Sequence, residues 1–219
     1  MLVNDCMTRH PVMVSPEVPA VEVEKIMAEN HVRHIPVVGD GKRLVGLLTR
    51  QRLALKPDTM GSLNVWEISR FLSNLSVSDL MLKANQVQTI TPDRTIERAA
   101  QIMMDYKIGC LPVLEDKVVV VGILSEVDVL RAFQEMLGLP AAGVRVTVRM
   151  PNQKGEFAKL TGAISQHGWG IMGIGSFPSP RRSGFYDMVL KIPDVTVDEV
   201  RAVLSQIPEQ EIVDIREFA

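Results

Sequence analysis

The chain repeats itself. Gly122-Ile123-Leu124-Ser125-Glu126-Val127-Asp128 is matched 76 positions upstream by Gly46-Leu47-Leu48-Thr49-Arg50-Gln51-Arg52. The same offset holds, without insertion, back through Leu111-Pro112-Val113 against Ile35-Pro36-Val37, Ile102-Met103 against Ile26-Met27, and Thr91-Pro92 against Ser15-Pro16. Chance does not keep register over that length, so this part of the chain is two copies of one supersecondary unit.

Each copy reads as β-α-β-β-α. In the first, Met1 to about His10 is a lead-in, and Val12-Met13-Val14 is a strand closed by the turn signal Ser15-Pro16. Ala20, Val23, Ile26 and Met27 then share one side of a helix, with Glu22, Glu24, Lys25 and Glu29 on the other. His31-Val32-Arg33-His34 leads into a strand over 35–38, Gly39-Asp40-Gly41 turns, and a strand over 44–48 feeds a helix after Thr49. The second copy is the better amphipath, with Ile96, Ala99, Ala100 and Met103 at helical spacing. Thr49 and Ser125 each stand where a strand turns into a helix, a place whose unpaired N–H groups can receive an anion. Ser125 to Asp128 is equally an ordinary capping box, in which the hydroxyl caps the helix and the acid three residues on closes the loop.

Between the copies, Asn64-Val-Trp-Glu67 opens a connecting helix over 63–76 with Val65, Ile68, Leu72 and Leu75 as its apolar face. Trp66 lies off that stripe and reads as a cover for the seam between copies. Repeat one is thus expected over 1–62 and repeat two over 77–137.

Gly138-Leu-Pro140 ends the last repeat helix, and the pattern then changes character. Val144, Val146, Val148 and Met150 alternate with Arg145, Thr147 and Arg149, as in a strand with one buried face. A helix follows with Phe157, Leu160 and Ile164 inward, stopped at Gly168. Strands are expected over 171–177 and 185–192, then a helix capped by Thr196-Val-Asp-Glu199 and carrying Val200, Val203, Leu204 and Ile207, then a strand over 211–218. This order, β-α-β-β-α-β over 143–219, is that of a ferredoxin-like sandwich. The fold class is mixed α/β (α+β).

Composition narrows the partners. At 219 residues there is room for two compact domains, and a net charge of −2 from 24 basic and 26 acidic residues argues against a nucleic-acid binder. Cys6 and Cys110 stand apart from any metal-ligand or disulfide spacing. The first residues break into charges at once and no apolar run reaches the roughly 18 residues of a membrane span, so the expectation is a cytoplasmic protein without a membrane partner.

On these residues the first 137 positions resemble a tandem pair of CBS domains, a Bateman module. The matching features are Met7 and Met81 before each first strand, helices ending in Ile-Met, apolar-Pro-Val strands, and Gly-x-x-[Ser/Thr]-x-x-Asp. Residues 143–219 resemble an ACT domain, and the combination resembles the AcuB-like proteins of acetoin utilisation. The resemblance implies two copies packed head to tail about a pseudo-twofold axis, with an adenine nucleotide (AMP, ADP or ATP, or alternatively S-adenosylmethionine) in a cleft between them. It implies a composite site: Asp128 on the ribose, Ser125 on phosphate or sugar beside Ile123, and Ser15, Ala20, Val32, Arg33 and His34 from the other copy. Arg33 and His34 are the right types for phosphate, a guanidinium fork and an imidazole donor.

The mirror cleft departs from that pattern. Arg52 stands where the ribose carboxylate is expected and Gly109-Cys110 where Arg33-His34 would be, so one competent cleft per chain is expected, with Thr49 and Thr91 as structural hydroxyls. The loop Pro151 to Gly155 sits where ACT domains take amino acids but lacks their acidic residue. The alternative there is a turn alone, the domain serving for dimerisation through its sheet edge.

Nucleophile-base pairs, metal clusters and convergent paired carboxylates are not evident in the sequence. The reading is a non-enzymatic regulatory module, a homodimer by family expectation, that binds an adenine nucleotide and couples occupancy to a partner, such as a regulated enzyme that the sequence does not identify, or to its own assembly. The alternatives are an enzyme acting on the bound nucleotide or a related metabolite, and a structural dimer with vestigial clefts.

Overall fold

The computed structural model of the chain describes residues 1–53, 75–139 and 141–218. They belong to two compact units, 1–129 and 130–219.

In the first unit both repeats build the same hairpin. Repeat one has α2 (Ala20–Glu29), β2 (His34–Val38), β3 (Leu44–Thr49) and α3 (Arg50–Leu53). Repeat two has α5 (Ile96–Tyr106), β5 (Cys110–Glu115), β6 (Val119–Ser125) and α6 (Glu126–Met136). The antiparallel registers agree, Ile35 opposite Leu48 and Leu111 opposite Leu124, and both hairpins shift register at the same place, after Val37 and after Val113. The apolar stripes point inward as their spacing predicts: Ala20, Val23 and Met27 in α2, and Ile96, Ala99 and Met103 in α5, are buried, while Ile26 and Ala100 are half-buried.

The lead-in differs from its expected role. Residues 3–6 form a turn of helix, α1 (Val3–Cys6), and β1 (Thr8–Arg9) pairs with β6 of the second repeat, Thr8 opposite Ile123. Reciprocally, α4 (Val77–Leu80) and β4 (Leu82–Lys83) serve the first repeat, Leu82 standing opposite Leu47 of β3. Backbone bonds fix both exchanges. Val3 N–H donates to the Arg94 carbonyl at 2.8 Å and Val77 N–H to the Val18 carbonyl at 2.9 Å, and both valines are fully buried. The repeats have thus traded their first elements, which is why each sheet has three strands, ordered β2-β3-β4 and β1-β6-β5.

The glycine that opens each repeated motif is there for this exchange. A Cβ on Gly46 would stand 2.5 Å from Met81 Sδ and 2.6 Å from the Leu82 carbonyl; on Gly122, 2.5 Å from Met7 Sδ and 3.1 Å from the Thr8 carbonyl. The strand expected over 12–14 reduces to one parallel bridge, Val14 to Val37, because the backbone there meets β2 only once; Ile90 and Val113 repeat it. Nearly all of the connecting helix expected over 63–76, with Trp66, lies outside the described residues. Its last two positions, Leu75 and Ser76, are not helical, since Ser76 is the extended N-cap of α4.

The second unit has the ferredoxin-like order: β7 (Gly143–Pro151), α7 (Glu156–Gln166), β8 (Gly173–Pro178), β9 (Phe185–Ile192), α8 (Val197–Leu204) and β10 (Glu211–Phe218). Its sheet runs β10-β7-β9-β8, antiparallel throughout. Val144, Val146, Val148, Met150, Leu190 and Ile192 pack against Leu160, Ile164, Val200 and Leu204. Thr196 and Glu199 close the expected capping box.

Two expectations change here. Phe157 is 46% exposed, while Glu156 is buried, its carboxylate taking Lys159 Nζ at 2.5 Å and Gln210 Nε2 at 3.1 Å. A carboxylate in a first helical turn meets unpaired N–H groups, and with two donors supplied it takes the inward position that spacing had given to Phe157. Nor is the second sheet face fully solvated. Thr147, Asp187 and Lys191 are buried on it, and Arg149 forks onto Asp187 at 2.8 and 3.0 Å. Among the described residues no helix is long and apolar enough to cross a membrane.

Candidate functional site

The two strand entrances are built alike. His34 pairs with Thr49 and Cys110 with Ser125. Arg50 N–H donates to the Arg33 carbonyl at 2.8 Å, as Glu126 N–H does to the Gly109 carbonyl at 3.0 Å. The structure therefore matches Arg33 with Gly109, His34 with Cys110, Arg50 with Glu126 and Arg52 with Asp128. The backbone is nearly symmetric and the charge is inverted.

Arg33 reaches from repeat one to repeat two, its Nη2 lying 3.1 Å from Glu126 Oε1. Both side chains are more than half exposed, so in its present setting the pair adds little stability. His34 is held below the ordinary histidine range, first by burial and then by Arg33, with Glu126 opposing. It is therefore a neutral imidazole at pH 7. Cys110 is buried, and burial, with Glu126 nearby, pushes its thiol up to about 12, so it stays protonated and is no nucleophile.

Ser125 and Asp128 form the capping box. Ser125 N–H and hydroxyl both donate to Asp128 Oδ2, at 2.8 and 2.6 Å, and Asp128 N–H returns a bond to Ser125 Oγ at 3.3 Å. Both residues are half-buried. Ile123 sits mid-strand between Thr8 and Pro112, Val32 packs on the core of repeat one, and Ser15 is exposed at its turn.

A cavity in the first unit is lined by both repeats. Of the expected site residues Ala20, Arg33 and His34 are on its wall, while Ser15, Val32, Ile123, Ser125 and Asp128 are not. The wall continues through Thr49, Arg50 and Arg52 to Gly109 and Cys110, the side expected to be the weaker cleft. Arg52 Nη1 donates to the Leu80 carbonyl at 3.1 Å, so it holds the exchanged helix α4. Sequence reasoning missed Arg50, Asp79, Lys107 and Glu126, which also line the cavity. Glu126 was legible as the charge-reversed counterpart of Arg50. Asp79 was not, because only the exchange of lead-ins brings it there. Among the described residues no cluster of His, Cys, Asp and Glu could hold a metal ion.

The comparisons with known proteins agree with this architecture. The CBS domain family model matches residues 3–56 and 77–135, together more than half of the chain. Among curated relatives, the L-aspartate semialdehyde sulfurtransferase of Methanocaldococcus jannaschii is 26% identical over 132 residues, which are 60% of this chain and 23% of that enzyme. The chain thus spans under a quarter of that relative's length. Among solved structures, a Vibrio cholerae protein described as an acetoin utilization protein (AcuB) superposes with a TM-score of 0.53 at 26% identity, covering 64% of this chain and 95% of its own. CBSX2 of Arabidopsis thaliana, solved in complex with AMP, has a TM-score of 0.51 at 25% identity, covering 60% and 95%. With two matched copies, the repeat register and a pair of exchanged three-stranded sheets, the chain belongs to the CBS-domain family and carries two CBS domains in tandem.

Proposed function

We propose that this chain is a non-enzymatic regulator that binds an adenine nucleotide between its CBS repeats and couples occupancy to a partner or to its own assembly. The observation that carries this reading is the cavity lined by both repeats, with Arg33 and His34 at one strand entrance offering a guanidinium fork and an imidazole to a phosphate. The AMP bound to CBSX2 supports the ligand class. In this reading Arg33 and His34 take the phosphate and Ala20 lines the same cavity. Asp128 on the ribose, Ser125 on the sugar or phosphate, and Ser15, Val32 and Ile123 beside them lie off that wall and act where the ligand extends beyond it. The chain works as a homodimer, and 143–219 acts as an ACT-like domain, either for a small effector near Gly155 or for assembly.

The test is titration calorimetry and thermal shift with adenosine, AMP, ADP and ATP on the full chain, with chromatography of the ligand afterwards. Saturable binding with an upward shift in Tm and unchanged ligand is the expected outcome, since a ligand that binds only the folded state raises Tm by mass action. Consumption of the nucleotide supports an enzyme instead, and no binding leaves a structural module.

A further inference from the structure

Glu126 is the acid of the cavity that reaches across to the other repeat. The wall carries Arg33, Arg50, Arg52 and Lys107 against Glu24, Asp79 and Glu126, and the one ion pair joining the two repeats among the described residues is Arg33 with Glu126 at 3.1 Å. A carboxylate on a guanidinium uses the same fork that a phosphoryl group would use. Glu126 is the first residue of α6 and approaches Gly109 as well, where an added Cβ would lie 3.3 Å from its Oε2. The absence of a side chain at Gly109 therefore leaves room for this carboxylate. In repeat one the matching residue is Arg50, so the acid belongs to one side of the pseudo-dyad only.

We propose that Glu126 is an internal stand-in for phosphate: in the empty cavity it occupies Arg33, and a phosphoryl group of the ligand displaces it. This rests on the nucleotide reading above and extends it in two ways. Displacement requires charge, so the cavity selects multiply charged anions such as nucleoside triphosphates over nucleosides, because a neutral ligand has nothing to offer Arg33 in exchange. Displacement also breaks a tie between repeats, so ligand charge, and not adenine alone, becomes a conformational signal. Both partners are half exposed, which leaves the pair weak enough for such an exchange.

The experiment compares ATP, AMP and adenosine binding by calorimetry for the wild-type chain, Glu126→Gln and Glu126→Asp, each checked for folding by circular dichroism. Glu126→Gln removes the competing charge, and the ratio of ATP affinity to adenosine affinity is expected to rise about five- to tenfold at low ionic strength and to fall back as salt screens the charges. Glu126→Asp keeps the charge but draws it back from Arg33, and should give a smaller rise. An unchanged ratio in both variants overturns the displacement while leaving the nucleotide reading standing. Failure of wild type and variants alike to bind any of the three ligands overturns that reading, and this one with it.

Discussion

At the scale of single residues, Asp128 carries two demands. Its carboxylate already closes the cap of α6 through Ser125, and the nucleotide reading asks it to hold a ribose as well. The two are separable, because Ser125→Ala removes the hydroxyl from the cap while leaving the carboxylate, whereas Asp128→Ala removes both the cap partner and the ribose acceptor. Both variants should lose about 1 kcal/mol of stability. Asp128→Ala should weaken adenine-nucleotide binding by about tenfold or more, and Ser125→Ala, which loses a single hydroxyl contact, by clearly less. Urea unfolding supplies the first comparison and calorimetry the second; equal loss of affinity in both variants would remove the ribose role from Asp128.

Among the elements, the exchanged lead-ins give the motif glycines their purpose. A Cβ added to Gly46 or Gly122 would stand 2.5 Å from a methionine sulfur, and 2.6 or 3.1 Å from a backbone carbonyl, of the other copy's lead-in, so Gly46→Ala must shift β4 and Gly122→Ala must move Met7 and crowd β1. Each should destabilise the chain by about 1–3 kcal/mol, read from thermal unfolding, with Gly46→Ala the more costly because its clash includes backbone at 2.6 Å while the closest atom to Gly122 is the end of a methionine side chain. Gly155→Ala is the contrast: nothing stands within 4 Å of the added carbon there, and only a φ of 94° strains it. The sequence made the hairpins, both amphipathic helices and the capping boxes legible, since Ala20, Val23 and Met27 or Thr196 and Glu199 carry local periodicity or spacing. It could not show that Thr8-Arg9 belongs to the far repeat. A strand of two residues has no alternation to read, and the lead-ins match at an offset of 74, not 76. The inward turn of Glu156 was hidden for a related reason, because Gln210, which satisfies it, lies 54 residues away. In the candidate site Arg33 and His34 were legible as donor types. The position of the cavity on the Arg52 side was not, since it depends on which lead-in faces which hairpin.

For the whole molecule, the exchange makes the sequence repeat and the folding unit different things. A fragment over 1–62 contains β2 and β3 but lacks β4, and its core lacks Val77, which is wholly buried among Val23, Ile35 and Leu48. A fragment over 63–139 lacks β1 and Val3 for the same reason. Residues 141–219, by contrast, hold their own core from Val144 to Ile207 and a complete four-stranded sheet. Expressed separately, 141–219 should unfold in one cooperative transition, while 1–62 and 63–139 should each show no sigmoidal melt by far-UV circular dichroism. Mixed in equal amounts, the two repeat fragments should regain helical signal and a melt, because each supplies the helix turn and strand that the other is missing. A cooperative melt of 1–62 alone would show that α2 and the β2-β3 hairpin form a core without the borrowed segment, and that the exchange joins the repeats without being needed to fold either one.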